Sequence, residues 1–184
     1  MTEKIRFMAF RLETERLFLR EYTLADAANL LEMNSDPEVV RYLPDAVLET
    51  EEEAAKIIQH IHNQYRQNGY ARWATFLKGT GEHIGWCGLK YRAIEGDERG
   101  AFTDIGYRFA KRYWGQGFAT EAASVCLNYG FNTLNLAEIV GCAEKENLGS
   151  LRVLEKLGFQ FVRDFRLHGK LMAFCLLKKH EFKL

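Results

Sequence analysis

The chain has 184 residues, 47% hydrophobic and 27% charged, with 25 Lys+Arg against 25 Asp+Glu and a formal net charge of zero. That length suits one domain with a sizeable core, and the even balance argues against a nucleic-acid partner held by a strong overall positive field. The four cysteines, Cys87, Cys126, Cys142 and Cys175, lie far apart with no C-x-x-C pair and no His at zinc spacing, so they read as small buried hydrophobes in a reducing compartment, and no metal is expected.

No segment approaches the ~20 apolar residues needed to cross a bilayer, and the stretch Met1 to Arg11 offers no long apolar run, so a cytoplasmic protein without a membrane partner is expected. Leu17 and Leu19 alternate with Arg16, Phe18 and Arg20, which predicts a first strand over about 16–22. Thr23 is placed to cap a helix through Asp26 to Met33, which stops at the turn signal Asn34-Ser35-Asp36-Pro37. Thr50 followed by Glu51, Glu52 and Glu53 is a capping box, opening a helix with Ile57, Ile58, Ile61 and Tyr65 on one face that ends before Gly69. The acidic run complements the positive end of the helix dipole, with a docking surface for a cation as the alternative.

Tyr70 to Leu77, His83 to Tyr91 and Ala101 to Phe109 are strand-like, and the loops Lys78 to Gly81 and Glu95 to Gly100 have hairpin lengths. A helix over about 117–131, a strand from Glu138 to Ala143, a helix from Leu148 to Leu157 and strands over Phe159 to Phe165 and Leu171 to Lys178 complete the chain. The order is a β-meander followed by β-α-β-α-β-β. It predicts a single α+β domain over 1–184, a mixed sheet of about seven strands flanked by about four helices.

Lys111-Arg112-Tyr113-Trp114-Gly115-Gln116-Gly117-Phe118-Ala119-Thr120-Glu121-Ala122 lies between a predicted strand and a predicted helix. Two glycines one residue apart let the backbone turn sharply, and the helix behind them offers unpaired N–H groups and the positive end of its dipole, a pocket for a pyrophosphate. A tight connection built for packing is the plainer alternative. The dinucleotide fingerprint needs Gly or Ala where Thr120 stands, and no Gly-Lys-Ser/Thr follows for a P-loop. Further on, Asn147-Leu148-Gly149-Ser150-Leu151-Arg152-Val153-Leu154-Glu155-Lys156-Leu157-Gly158-Phe159 opens a helix and closes it with Gly158.

Arg112-x-x-Gly115-x-Gly117 with Phe118 to Ala122 resembles the acyl-CoA pyrophosphate motif of the GCN5-related N-acetyltransferases, and the segment Asn147 to Phe159 resembles that superfamily's next block. Glu15-Arg16-Leu17-x-Leu19-Arg20, Asp36-Pro37-Glu38-Val39 and Asp104-Ile105-Gly106-Tyr107 are similar to the branch that acetylates N-termini of ribosomal proteins. The resemblance implies acetyl-CoA as co-substrate, transfer to a primary amine, and a sheet splayed between Phe102–Phe109 and Glu138–Ala143, where the pantetheine arm lies. It implies pyrophosphate contacts from Gly115, Gln116, Gly117, Ala119 and Thr120, a positive charge from Arg112, and a pantetheine contact from Asn147, for which a helix cap is the alternative.

Asp104 takes the strand position of the superfamily's glutamate and is the candidate general base, with Glu144 as rival and a salt bridge to Arg108 as the plainer reading. The superfamily's tyrosine acid is absent after Asn147, and Ser150 is the candidate hydrogen-bond donor to the departing sulfur. Trp73, Trp86, Tyr91 and Tyr107 are candidates for the acceptor pocket or for core. A protein N-terminal α-amine, a polyamine, an aminoglycoside or a small amino metabolite each fits as acceptor, with a non-catalytic acyl-CoA-binding module as a separate alternative, and a homodimer remains open.

Overall fold

The capping box at Thr50 forms. In a computed structural model describing residues 10–42, 47–93 and 100–183, the Thr50 hydroxyl accepts the Glu53 N–H at 3.3 Å and the Glu53 carboxylate accepts the Thr50 N–H at 3.3 Å. The helix it opens, α3 (Glu51–Asn68), ends at Gly69 and buries Ala54, Ile58 and Ile61. Ile57, expected on that face, is instead exposed, because 57 and 58 differ by about 100° around a helix and only one of the two can point at the sheet. Burying Ile58 contributes about 2 kcal/mol.

Thr23 is an N-cap, as expected, but of a 3-10 turn that precedes the helix. Its hydroxyl donates to the Asp26 carboxylate at 2.9 Å, and the same carboxylate accepts the Thr23 N–H at 2.7 Å. Asp26 thus reaches back to order the entry, a 3-10 turn over Leu24–Asp26 that leads into α1 (Ala27–Asn34). A short α2 (Pro37–Val40) follows, with Asp36 capping through Glu38 N–H at 2.9 Å.

The sheet has eight strands in the order β1 (Arg11–Glu13), β2 (Leu17–Arg20), β3 (Arg72–Leu77), β4 (His83–Ala93), β5 (Ala101–Phe109), β6 (Glu138–Glu144), β8 (Lys170–Lys178) and β7 (Gln160–Leu167). The eighth strand is β1, whose three residues are too few to show a period in the sequence. The predicted loop over 95–100 lies, except for Gly100, outside the described residues. Every pairing is antiparallel except β5 with β6.

That one parallel ladder has two rungs, Asp104↔Val140 and Ile105↔Gly141. Beyond them the strands part, as the resemblance implies. One face of the sheet is covered by α4 (Phe118–Asn128), whose small residues Ala122 and Ala123 allow a close approach to Ile105 and Phe109, and by α5 (Leu148–Lys156), whose Leu154 joins the same core. The other face packs Tyr22, Leu30, Met33, Ile58 and Ile61 against Ala74 and Phe76. Among the described residues no helix is long and apolar enough to cross a membrane.

Candidate active site

Beyond β5 the chain makes a 3-10 turn over Lys111–Tyr113, pinned by the Trp114 indole N–H donating to the Phe109 carbonyl at 2.7 Å. Gly115 and Gly117 then adopt φ of 75° and 84°, a left-handed backbone that side-chain-bearing residues avoid. Gly117 is the N-cap of α4 and no side chain caps the helix. The first-turn amides of Phe118, Ala119 and Thr120 therefore have neither an intrahelical acceptor nor a capping oxygen. This is a donor cluster at the positive end of a helix, and it fits the pyrophosphate of acetyl-CoA.

Arg112 points elsewhere. Its guanidinium pairs with Glu32 at 3.2 Å and Glu82 at 3.0 Å, on the side of α1 and the β3–β4 hairpin. That pair borders a cavity of about 580 Å³ lined by Asn29, Glu32, Asp36, His83 and Lys111 among others, which adjoins the turn but not the splayed strands. The guanidinium beside the glycines is Arg16, whose Nη1 donates to the Gln116 carbonyl at 3.1 Å. Sequence reading missed this role for Arg16. Its signal was present in Glu15-Arg16-Leu17, but a partner a hundred positions away has no local trace.

Where β5 and β6 separate, Tyr107 on β5 reaches across to the first turn of α5. Its hydroxyl lies 3.0 Å from Ser150 Oγ and donates to the Ser150 carbonyl at 3.1 Å. Burial raises the Tyr107 phenol well above its ordinary value, only partly offset by the Ser150 bond, so it stays protonated. Asn147 is the N-cap of α5, its Oδ1 accepting the Ser150 N–H at 3.0 Å. The capping reading of Asn147 therefore holds, and its Nδ2 hydrogens lie outside that cap. Of the other aromatics, Trp73 is core, Tyr91 is exposed, and Trp86 carries the guanidinium groups of Arg72 and Arg108 over its ring at 5.2 and 5.3 Å.

Asp104 sits on the opposite face of β5 from Tyr107, 4% exposed. Its Oδ1 meets Arg72 Nη2 at 3.0 Å and its Oδ2 meets Arg92 Nε at 3.2 Å. The cations on its two oxygens are thus Arg72 and Arg92, whereas Arg108 donates to Asn34. Gly106 makes room for this: a Cβ there would fall 2.6 Å from the Arg72 guanidinium carbon. Glu144, the rival base, is also held, by Lys170 Nζ at 2.7 Å. All four cysteines are free. Burial pushes the Cys142 thiol up to about 12 and raises those of Cys126 and Cys175, so none of these three offers a thiolate at neutral pH.

The glycine-capped start of α4 and the parting of β5 from β6 are the features that the resemblance to the GCN5-related N-acetyltransferases implies. The family model described as "Acetyltransferase (GNAT) domain" matches residues 16–160, and the chain belongs to that family, whose enzymes use acetyl-CoA. It is 36% identical over 175 residues to "Uncharacterized N-acetyltransferase p20" of Bacillus licheniformis, covering 91% of this chain and 96% of that protein. It is 25% identical to "Spermidine N(1)-acetyltransferase" of Escherichia coli (strain K12), covering 83% and 79%. The structure of a ribosomal-protein-S5-alanine acetyltransferase from Vibrio fischeri superposes with a TM-score of 0.77 at 18% identity, covering 95% of this chain and all of that one, a likeness of fold.

Proposed function

We propose that the protein transfers the acetyl group of acetyl-CoA directly to the α-amine of a peptide or protein N-terminus. The donor supplies an acetyl thioester. Gly115, Gln116, Gly117, Ala119 and Thr120 would hold its pyrophosphate, Arg112 would contribute only by leaving Glu32 and Glu82, and Asn147 would hold its pantetheine arm through the Nδ2 group. Ser150, oriented by Tyr107, would donate a hydrogen bond toward the departing sulfur.

One observation carries the choice of acceptor: both candidate bases are already engaged by cations. The Asp104 oxygens are paired with Arg72 and Arg92, and the Glu144 carboxylate with Lys170. Such a site suits an amine that is partly neutral without help. An N-terminal α-amine, with a pKa of about 7.7–8.0, is so, whereas a lysine-type amine near ~10.4 costs about 3 kcal/mol more to deprotonate. In this reading Asp104 orients the face that receives the amine, and the general-base role, direct or through a water, is the second reading. The names of the relatives support amine acceptors of both kinds, an alanine of a ribosomal protein and spermidine.

The test is acetyl-CoA-dependent thiol release at pH 7 with three acceptors: short peptides with free N-termini, the same peptides blocked at the N-terminus but carrying a lysine, and spermidine. The free N-terminus is expected to give the highest kcat/KM. A preference for spermidine or for the lysine amine overturns the acceptor assignment, and no release with any amine, in folded protein that binds acetyl-CoA, favours a binding module.

A further inference from the structure

Glu121 stands in the first turn of α4, and it is gripped from β1–β2, at the far end of the sequence. The Thr14 hydroxyl donates to Glu121 Oε1 at 2.5 Å, the Arg16 N–H donates to the same oxygen at 3.0 Å, and Arg16 Nε donates to Oε2 at 2.7 Å. Arg16 Nη2 also lies 2.6 Å from Oε2. The remaining arm of the guanidinium, Nη1, takes the Gln116 carbonyl, and the whole group lies over the Phe118 ring at 4.3 Å. Burial works against the Glu121 charge, yet the bonds from Thr14 and Arg16 outweigh it and leave the carboxyl below its ordinary value.

We infer that Thr14, Arg16 and Glu121 form a clamp that positions the Gly115–Gly117 turn for the donor's pyrophosphate. The inference rests on the reading of that turn as the pyrophosphate site. Its geometry follows from the planar trans peptide: the Gln116 carbonyl and the Gly117 N–H belong to one peptide unit and point in opposite directions. Fixing the carbonyl toward Arg16 therefore fixes the Gly117 amide away from it, and the ion pair with Glu121 locks the first turn of α4 to the same anchor. A turn with two left-handed glycines is otherwise free to sample many conformations, and ordering it during binding weakens affinity.

The clamp accounts for two motifs at once. Thr14 and Arg16 in Thr14-Glu15-Arg16-Leu17 and Glu121 in Ala119-Thr120-Glu121-Ala122 are the two halves of one device. The side chains of Arg16 and Glu121 are 45% and 19% exposed, so the half-exposed pair adds a modest amount to folding. Its larger effect belongs to donor binding.

The test uses Glu121→Gln and Arg16→Gln in the full chain, with Arg16→Lys as the conservative variant and Gly117→Glu as a control on the site itself. Calorimetric Kd for CoA, kcat at saturating acetyl-CoA and the melting temperature of the ligand-free protein are measured for each. The two glutamine variants are expected to weaken CoA about tenfold, equal to about 1.4 kcal/mol, with kcat within about twofold and at most a small fall in melting temperature. Arg16→Lys, which keeps the charge but cannot span Glu121 and the Gln116 carbonyl together, is expected to fall between. Wild-type CoA affinity in Glu121→Gln while Gly117→Glu loses binding overturns the clamp and leaves the pyrophosphate site standing. Wild-type affinity in Gly117→Glu overturns the site itself. A loss of affinity matched by a fall in melting temperature or in kcat makes the contacts merely structural and overturns the inference as well.

Discussion

Gly106→Ala is expected to destabilise the protein through a residue that is neither its chain neighbour nor on the same strand. The new Cβ would lie 2.6 Å from the Arg72 Cζ and Nη2 atoms, where ordinary contact begins near 3.4 Å. The guanidinium must therefore withdraw by 3.4 − 2.6 = 0.8 Å. Moving the end of an arginine is sterically easy, so the cost is set by what it abandons. A withdrawal of that size stretches the Nη2–Oδ1 bond from 3.0 Å beyond hydrogen-bonding range. Both side chains are mostly buried, at 13% and 6% exposed, so water does not replace the lost bond, and Arg92 alone remains on the carboxylate. A charge-assisted hydrogen bond of this kind contributes about 1.5–3 kcal/mol. The expected loss is about 2 kcal/mol in urea unfolding, or roughly 4–8 °C in Tm for a chain of this size. The decisive assay is a double-mutant cycle with Arg72→Ala. In that background Gly106→Ala should cost close to nothing, giving a coupling of about 2 kcal/mol. An equal cost in both backgrounds would refute the reasoning and place the effect in the β5 backbone.

Asp104→Asn is expected to lose about 3 kcal/mol of stability, because two partly buried guanidinium groups lose their counter-ion. Its kcat/KM should rise with pH in parallel with the wild type through the acceptor's own ionisation; a profile that loses its dependence on pH would restore Asp104 to the role of base. Ser150→Ala is expected to lower kcat about tenfold with little change in the acetyl-CoA KM, the loss of one hydrogen bond to developing charge; stopped-flow thiol detection separates the two parameters. Burial holds the His83 imidazole down at about 4 against an ordinary 6.5. Between those pH values the unfolded chain binds a proton that the folded chain refuses, so stability falls as pH falls through the window, by about 3 kcal/mol at its lower end. His83→Phe, which keeps a ring against Tyr22 and Phe76, should flatten urea-unfolding stability between pH 6.5 and 4. The lowered carboxyl of Asp26 acts below that window, since its contribution is lost only as pH drops beneath the ordinary aspartate value.

What the sequence disclosed depended on how locally each feature is encoded. The capping box at Thr50 and the glycines at 115 and 117 are written in adjacent residues, so these helix starts and the tight turn before α4 were legible from spacing and backbone chemistry. The parting of β5 and β6 was legible only by resemblance, because nothing in Phe102–Phe109 or Glu138–Ala143 marks where a ladder ends. Asp104 was found as a position, but its partners were not. Arg72 and Arg92 reach it through strand register over β3, β4 and β5, and that register is decided by packing across the whole sheet. Arg112 and Arg16 illustrate the same limit: the arginine next to the glycines in sequence faces Glu32 and Glu82, and the one next to them in space comes from β2's entry.

The two-rung ladder between β5 and β6 also bears on how this protein responds to mutational scanning. Over Gly106–Phe109 and Cys142–Glu144 the unpaired edge consists of main-chain amides and carbonyls, which replacement of a side chain by alanine leaves in place. An alanine scan along these strands would report packing and leave the unpaired main-chain donors and acceptors unprobed, whereas proline, which removes a donor, or an ester in place of a single amide, would probe them. Neutral substitutions in that stretch are therefore no sign that it is idle.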